Sequence, residues 1–153
     1  MTFGRLAKRL GISDRIVVYY FPTKNDLLTD VMLAMGARLQ QALGQAFTAP
    51  AVHHLELART AWPVLASTEF DQIFAMFFEA NGLAAAGREP YRTLITQLME
   101  TWIQWLGTFF VGTPEGRRAE AEAVIALIDG LLLLRQLVGP EAAERAATRL
   151  TLN

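Results

Sequence analysis

The 153-residue chain is 52% hydrophobic and 19% charged, with a net charge of −1 and a mean hydropathy of +0.25. No long polar linker interrupts it, so the composition argues for one compact body with a small head and against independent domains, with more apolar surface than a lone subunit comfortably hides. The chain has no cysteine, which excludes a disulfide framework, a thiolate metal site and a thiol nucleophile.

The first 24 residues carry five basic side chains (Arg5, Lys8, Arg9, Arg15, Lys24) and one acidic (Asp14), a local charge of +4, while the remainder nets −5. The positive end is where phosphates would be met. Thr2 is placed to cap a helix running to about Leu10, with Gly11 as its stop. Ser13 is placed to cap a second helix, with Asp14 in the first turn, where an acid complements the helix dipole. Two short helices joined by a tight turn are the layout of a DNA reader. Ala7 and Gly11 are four apart and Val17 lies six beyond: a small residue for close approach, a glycine for the turn and a branched apolar anchor. Leu6, Leu10, Ile12 and Tyr20 fill the other inward positions by spacing, leaving Lys8, Arg9, Ser13, Asp14, Arg15, Val18 and Tyr19 outside. Arg15 has the planar fork that reads the O6 and N7 of guanine.

Tyr19, Tyr20 and Phe21 end the second helix against Pro22, whose ring disfavours helical geometry at the residue before it. Thr23 with Asp26 three positions on forms a capping box for a helix from Lys24 to about Ala46, with Asp in place of the usual Glu or Gln. Leu27, Leu28, Val31, Met32, Met35 and Leu39 make its apolar stripe.

Leu6-Ala7, Gly11-Ile12-Ser13, Tyr20-Phe21-Pro22-Thr23-Lys24 and Leu27-Leu28 together resemble the DNA-binding head of the TetR (tetracycline repressor-like) family of bacterial transcription regulators. A turn of this spacing followed by an aromatic-Phe-Pro-polar-Lys junction is much rarer than a bare helix-turn-helix. The resemblance covers residues 2 to about 35 by motif and the rest by layout. It implies an all-α chain in which residues 1–46 form the helix-turn-helix head and connecting helix, and residues 47–153 a helical ligand-binding and dimerisation domain. It also implies that Ser13 to Tyr20 is the recognition helix in the major groove of an operator duplex. Thr2, Tyr19 and Tyr20 would lie near backbone phosphates, with Lys24 facing a phosphate from the third helix's N-terminus, so Tyr20 is inward by spacing and a contact by resemblance. The DNA-binding set is therefore Thr2, Ser13, Asp14, Arg15, Val18, Tyr19, Tyr20 and Lys24. The pattern departs at Val18, where most members carry a tyrosine on the backbone, which leaves that contact to Tyr19. It departs again ahead of Thr2, where the family has a further helix of about 18 residues, five turns at 3.6 per turn. With that helix absent, Leu6, Leu10 and Val17 are expected to lose an apolar wall, and the head to be loosely ordered.

Beyond a break at Thr48-Ala49-Pro50, His53 and His54 open another helix; adjacent helical histidines point to different faces, so metal ligation is not expected. Pro63 should kink or divide that helix. Thr68, with Asp71 three positions on, caps the next, dense in Phe70, Ile73, Phe74, Phe77 and Phe78, ending at Asn81-Gly82 and buried on most sides. Pro90 starts a helix from Tyr91 to Val111. The resemblance implies a pocket for a small apolar or aromatic effector in this domain, which Trp62, Phe74, Phe77, Phe78, Met99, Trp102 and Trp105 would wall, with Asn81 and Glu79 as the nearest polar groups; such stripes also serve as plain core.

Thr113-Pro114-Glu115 supplies a cap, a first-turn proline and a dipole-matched acid for a helix to about Val138. Gly139-Pro140-Glu141 stops it and starts the last helix, ending near Leu152. The resemblance implies that these two helices pair with their copies as a four-helix bundle in a homodimer, with Val124, Leu127, Ile128, Leu131, Leu132, Ala143 and Ala147 at the interface.

No phosphate-cradling glycine loop, nucleophile elbow or carboxylate pair beside a histidine is present, so neither an enzyme nor a cofactor is expected. The longest apolar stretch, Ala123 to Val138, is broken by Asp129 and Arg135, and the start has no signal-peptide profile, so no membrane partner and a cytoplasmic location are expected. The expected function is a ligand-responsive DNA-binding regulator, a repressor acting as a homodimer. The alternative is a dimeric small-molecule or protein-binding module of the same fold that has lost DNA binding with its first helix.

Overall fold

The structure, a computed structural model, describes Lys8, Gly11 and residues 13–152, with the side chain of Asp14 outside the description. Among the described residues it is all-α. The α-helices are α1 (Asp14–Tyr20), α2 (Lys24–Ala46), α3 (His54–Leu65), α4 (Asp71–Ala85), α5 (Tyr91–Gly107), α6 (Pro114–Leu137) and α7 (Pro140–Arg149), with a 3-10 turn at Thr68–Phe70. None of these helices is long and apolar enough to cross a membrane. The chain forms two compact units, Met1–Gly36 and Ala37–Asn153, and the division falls inside α2.

In the first unit, the expected helix from Thr2 to Leu10, the inward positions Leu6, Leu10 and Ile12, and the loosely ordered head lie outside the described residues. Gly11 takes the left-handed conformation, φ +66°, that the turn requires. Ser13 is the N-cap residue of α1 with an extended backbone, but its side chain makes no capping bond. Val17 is 2% exposed, so the expected loss of its apolar wall is not seen at that position.

The junction to α2 follows the sequence closely. The Thr23 N–H and hydroxyl both donate to Asp26 Oδ2, at 2.9 and 2.7 Å, and the Asp26 N–H donates back to Thr23 Oγ1 at 3.1 Å, a complete reciprocal box with the shorter acid. Along α2 the apolar stripe alternates between buried Met32, Leu39 and Leu43 and half-covered Leu27, Leu28, Val31 and Met35.

The core of the second unit is one cluster drawn from every helix after the division except α5's first two turns, closed at the end of the chain by Leu152. At its centre lies α6, which packs against α3, α4, α5 and α7. Thr113 Oγ1 accepts from the Gly116 N–H at 3.1 Å, with Pro114 in the first turn, so the start of α6 is built as the sequence indicated. A helix with four helical neighbours needs apolar residues around much of its circumference. Ala121, Val124, Ile128, Leu131 and Leu132 supply them.

Several elements differ from expectation. α3 runs through Pro63 undivided and stops two residues later. The residues from Thr68 to Phe70 form a 3-10 turn started by Ser67, whose hydroxyl accepts from the Glu69 N–H at 3.4 Å, and α4 proper begins at Asp71. α4 continues through Asn81-Gly82 to Ala85 and leaves Gln72, Ala75, Met76, Glu79 and Gly82 exposed, so it is not buried on most sides. The turn is made instead at Gly87, φ +73°.

α5 stops at Gly107, four residues early. The Thr108 hydroxyl donates to the Trp105 carbonyl at 2.6 Å. The following residues then pair with the α2–α3 connection: the Ala51 N–H donates to the Phe109 carbonyl at 2.9 Å, and the Val111 N–H to the Ala51 carbonyl at 3.0 Å, forming a parallel bridge between Ala51 and Phe110. A long-range pairing has captured backbone groups that a longer helix would have used. α7 likewise ends at Arg149, with Thr151 in the left-handed region and the Leu152 N–H donating back to the Ala147 carbonyl at 3.0 Å.

Side-chain links also tie the helices of this unit to one another. Arg135, only 10% exposed, donates to both oxygens of Asp71 at 2.9 and 3.3 Å, joining α6 to α4. The Trp62 indole N–H donates to Glu144 Oε2 at 3.2 Å, joining α3 to α7.

Candidate nucleic-acid interface

The short α1 has two turns, and of its described side chains only Val17 is buried. Arg15, Ile16, Val18, Tyr19 and Tyr20 are all exposed. Ser13 and Lys24 are exposed as well. Of the sequence-predicted set, Thr2 and the Asp14 side chain lie outside the described residues.

Tyr20 corrects one expectation. It is 70% exposed rather than inward, and half-covered Phe21, four residues after Val17, takes the inward place instead. Positions four apart return to one helix face within about 40° at 3.6 residues per turn, whereas positions three apart miss it by about 60° on the other side. At the last residue of so short a helix that difference puts Tyr20 in solvent. There its ring stands edge-on to that of Tyr19, with centroids 5.3 Å apart and an angle of 89°. The exposed side chains of α1 are therefore two phenols, a guanidinium and apolar groups. Hydroxyls and guanidinium donate to phosphate and base edges, and the apolar groups can meet thymine methyls.

In the second unit, the residues assigned to an effector pocket separate. Trp62 and Phe74 are fully covered core residues. Phe77, Phe78, Trp102 and Trp105 are half-covered at the edge of that core, with Met99 also partly exposed. Phe77 and Phe78 sit 5.5 Å apart by ring centroid, and Trp105 packs edge-on against Trp102 at 5.3 Å and Phe109 at 4.9 Å. Asn81 Oδ1 is buried without a hydrogen-bond partner, on the same face of α4 as Phe77 and Phe78 by its four- and three-residue spacing.

A groove of about 290 Å³ lies between α5 and α6, lined by Glu100, Ile103, Gln104, Gly107, Thr108, Pro114, Arg117 and Arg118. None of the predicted pocket residues lines it. Its polar wall is a fork: Arg118 donates to both Glu100 oxygens at 2.7 and 2.9 Å and also lies 2.9 Å from Glu122. The Arg118 hydrogen bonds, helped by one from Gln104, hold the Glu100 carboxyl down at about 2. Sequence reasoning missed this groove because its charged residues sit on the outer faces of two helices, where spacing alone reads them as solvated.

The residues assigned to the dimer interface lie against the core of the single chain. Val124, Ile128, Leu131, Leu132, Ala143 and Ala147 are buried inside the single chain, and Leu127 is packed against the same core. They are spent on α6's four neighbours. A second apolar stripe on α6, Ala119, Ala123, Ala126, Gly130, Leu133 and Leu137, is exposed throughout except for half-covered Ala123. Its steps of four and three are those of a helix-pairing seam. A Cβ placed on Gly130 would meet nothing within 4 Å in this chain. Leu137, Val138 and Leu150 extend the apolar surface, at 76%, 68% and 42% exposed.

No protein-family model matches the sequence. No curated protein matches it either. Among solved structures, the chain is similar to the crystal structure of a TetR transcriptional regulator from Legionella pneumophila, with a TM-score of 0.66 and 20% identity, over 98% of this chain and 83% of that one. At that identity the likeness establishes the fold alone: this chain has a TetR-like all-α fold.

Proposed function

We propose that this protein is a ligand-responsive DNA-binding transcriptional regulator, a repressor that acts in the cytoplasm as a homodimer. The observation that carries the reading is α1: a two-turn helix after a left-handed glycine turn, held by one buried valine and presenting every other described side chain to solvent. It lies in the segment of the chain that carries +4. A helix so exposed has little structural reason to keep Arg15, Tyr19 and Tyr20 together, and their chemistry fits a duplex groove and its flanking phosphates.

Fluorescence anisotropy with duplexes from the gene's own upstream region tests this. Saturable binding that weakens steeply with salt is expected. Arg15→Ala should relax base preference at a cost of about 1–3 kcal/mol, whereas Lys24→Ala should weaken all sequences alike and flatten the salt slope by about one. Absence of salt-dependent binding to any upstream fragment would refute the reading, and equal loss of base preference in both variants would refute the two roles.

The dimer is supported by the outer stripe of α6, which stays exposed in the single chain at all but Ala123 and has a glycine at its middle with open space around it. Two copies crossing there, with the outer face of α7 beside them, would cover Leu133, Leu137 and Leu150 in a four-helix bundle. Replacing Leu133 and Leu137 together by Asp should give a monomer by light scattering with unchanged helicity, because neither side chain is part of the core. A monomeric wild type would end the dimer proposal.

The effector is proposed to be small and apolar or aromatic. Half-covered Phe77, Phe78, Met99, Trp102 and Trp105 offer it surface, and the unpartnered Asn81 carbonyl offers an acceptor for one hydrogen-bond donor.

A further inference from the structure

We propose that His53, His54 and Glu120 form a binding site for one divalent transition-metal ion of the zinc class. The expectation that adjacent histidines diverge presumes both are helical, and they are not. His53 is the N-cap of α3 with an extended backbone, φ −133° and ψ 143°, and His54 is the first helical residue. A continuous helix would splay neighbouring side chains by about 100°. The change of backbone instead sets the two imidazoles side by side, with centroids 4.0 Å apart and 33° between planes.

Glu120 comes to this pair from α6. Its Oε2 accepts from the His54 backbone N–H at 2.5 Å and lies 2.9 Å from His54 Nδ1. One donor atom from each of the three residues falls within 4.8 Å of the others. Ligands at about 2.0–2.1 Å from a tetrahedral zinc ion are roughly 3.3 Å apart, so rotation of exposed His53 is the main movement needed to close the site. The environment is intermediate, with the His54 and Glu120 side chains 28% and 29% exposed.

Two imidazoles and a carboxylate favour Zn²⁺, Ni²⁺ or Cu²⁺ over Mg²⁺ and Ca²⁺, which prefer all-oxygen sites. Three protein ligands leave a fourth position for water or a small anion. The competing role for Glu120 is that of an anionic cap on α3. Glu120→Gln separates the two, since its amide oxygen can still accept from the His54 N–H but carries no charge for a metal.

The test is calorimetric titration of the untagged full-length chain, stripped with a chelator, using zinc chloride and, separately, magnesium chloride. One Zn²⁺ per chain and no Mg²⁺ binding are expected, with a rise in Tm on adding zinc. Glu120→Gln, His54→Ala and His53→Ala should each weaken zinc binding at least about tenfold, the loss typical even for groups that only support a metal ligand. His53 is exposed, so its variant keeps the test valid if the His54 variant unfolds. The absence of saturable one-to-one zinc binding, or equal affinity in the wild type and the folded variants, overturns the site and leaves Glu120 as a helix cap.

Discussion

Replacing Leu132 by Ala should lower the unfolding free energy by about 2–5 kcal/mol, among the largest effects of any single truncation in the chain. Leu132 is 1% exposed. It belongs to α6, which packs against four other helices. The loss combines the hydrophobic transfer of the removed atoms with a cavity that cannot collapse from several sides at once. The neighbouring residue provides the control. Leu133 is 40% exposed, so Leu133→Ala should change the stability of the single chain by no more than about 0.5 kcal/mol. Urea unfolding followed by circular dichroism, at protein concentrations low enough to suppress self-association, measures both, and unchanged slopes with shifted midpoints would mark a change in stability alone. Equal losses at the two positions would mean that the inward and outward stripes of α6 are wrongly assigned.

The second large effect is a pH dependence. Burial pushes the Asp129 carboxyl from 3.8 up to about 7, with no charged partner offsetting the loss of water. The folded chain thus holds a proton there that the unfolded chain releases at much lower pH. Between about 4 and 7 the folded state binds more protons, so this group makes stability fall as pH rises through that window. Above it the folded chain must carry an ill-solvated carboxylate. Asp129→Asn, which cannot ionise, should lack that slope and exceed the wild type by about 2 kcal/mol at pH 8. Three pKa units represent about 4 kcal/mol at full burial, and the carboxyl retains partial exposure. The advantage should vanish near pH 4. Glu100, held at about 2, acts in the opposite sense, contributing stability that is lost as pH falls below the ordinary carboxylate range. Wild type minus variant, measured by urea unfolding at several pH values, isolates Asp129; a difference that stays flat from pH 4 to 8 would contradict the burial of its carboxyl.

Local chemistry was legible where it is decided locally. The Thr23–Asp26 box and the Thr113-Pro114 start need only residues three apart, and both stand as the sequence implied. The starts of α2 and α6 follow from them. Sequence patterning was weaker wherever a distant partner decides. α5 gives up its last turn to the bridge between Ala51 and Phe110, 59 positions apart, and no periodicity carries that information. α4 passes Asn81-Gly82, a stop by composition, because the helix can bear one exposed glycine when its other face is packed.

The candidate sites divide along the same line. Arg15, Val18 and Tyr19 lie outside, as spacing required, since on a two-turn helix one buried anchor fixes the rest. The exposed apolar stripe of α6 was not legible, because α6 is apolar on two sides. Composition cannot say which side faces inward. Nor could it reveal the histidine pair, whose convergence depends on where α3 begins and on a glutamate 66 positions later.

The bridge between Ala51 and Phe110 fastens two connections to each other, the one entering α3 and the one leaving α5. Each therefore behaves as a fixed hinge-pin and tolerates no added length without losing both backbone bonds. The connection at Ala86–Glu89 is different, with all four residues exposed and no such fastening. For anyone wishing to graft a fluorescent reporter or an affinity handle into this chain, residues 86–89 are the open port and residues 48–53 are closed.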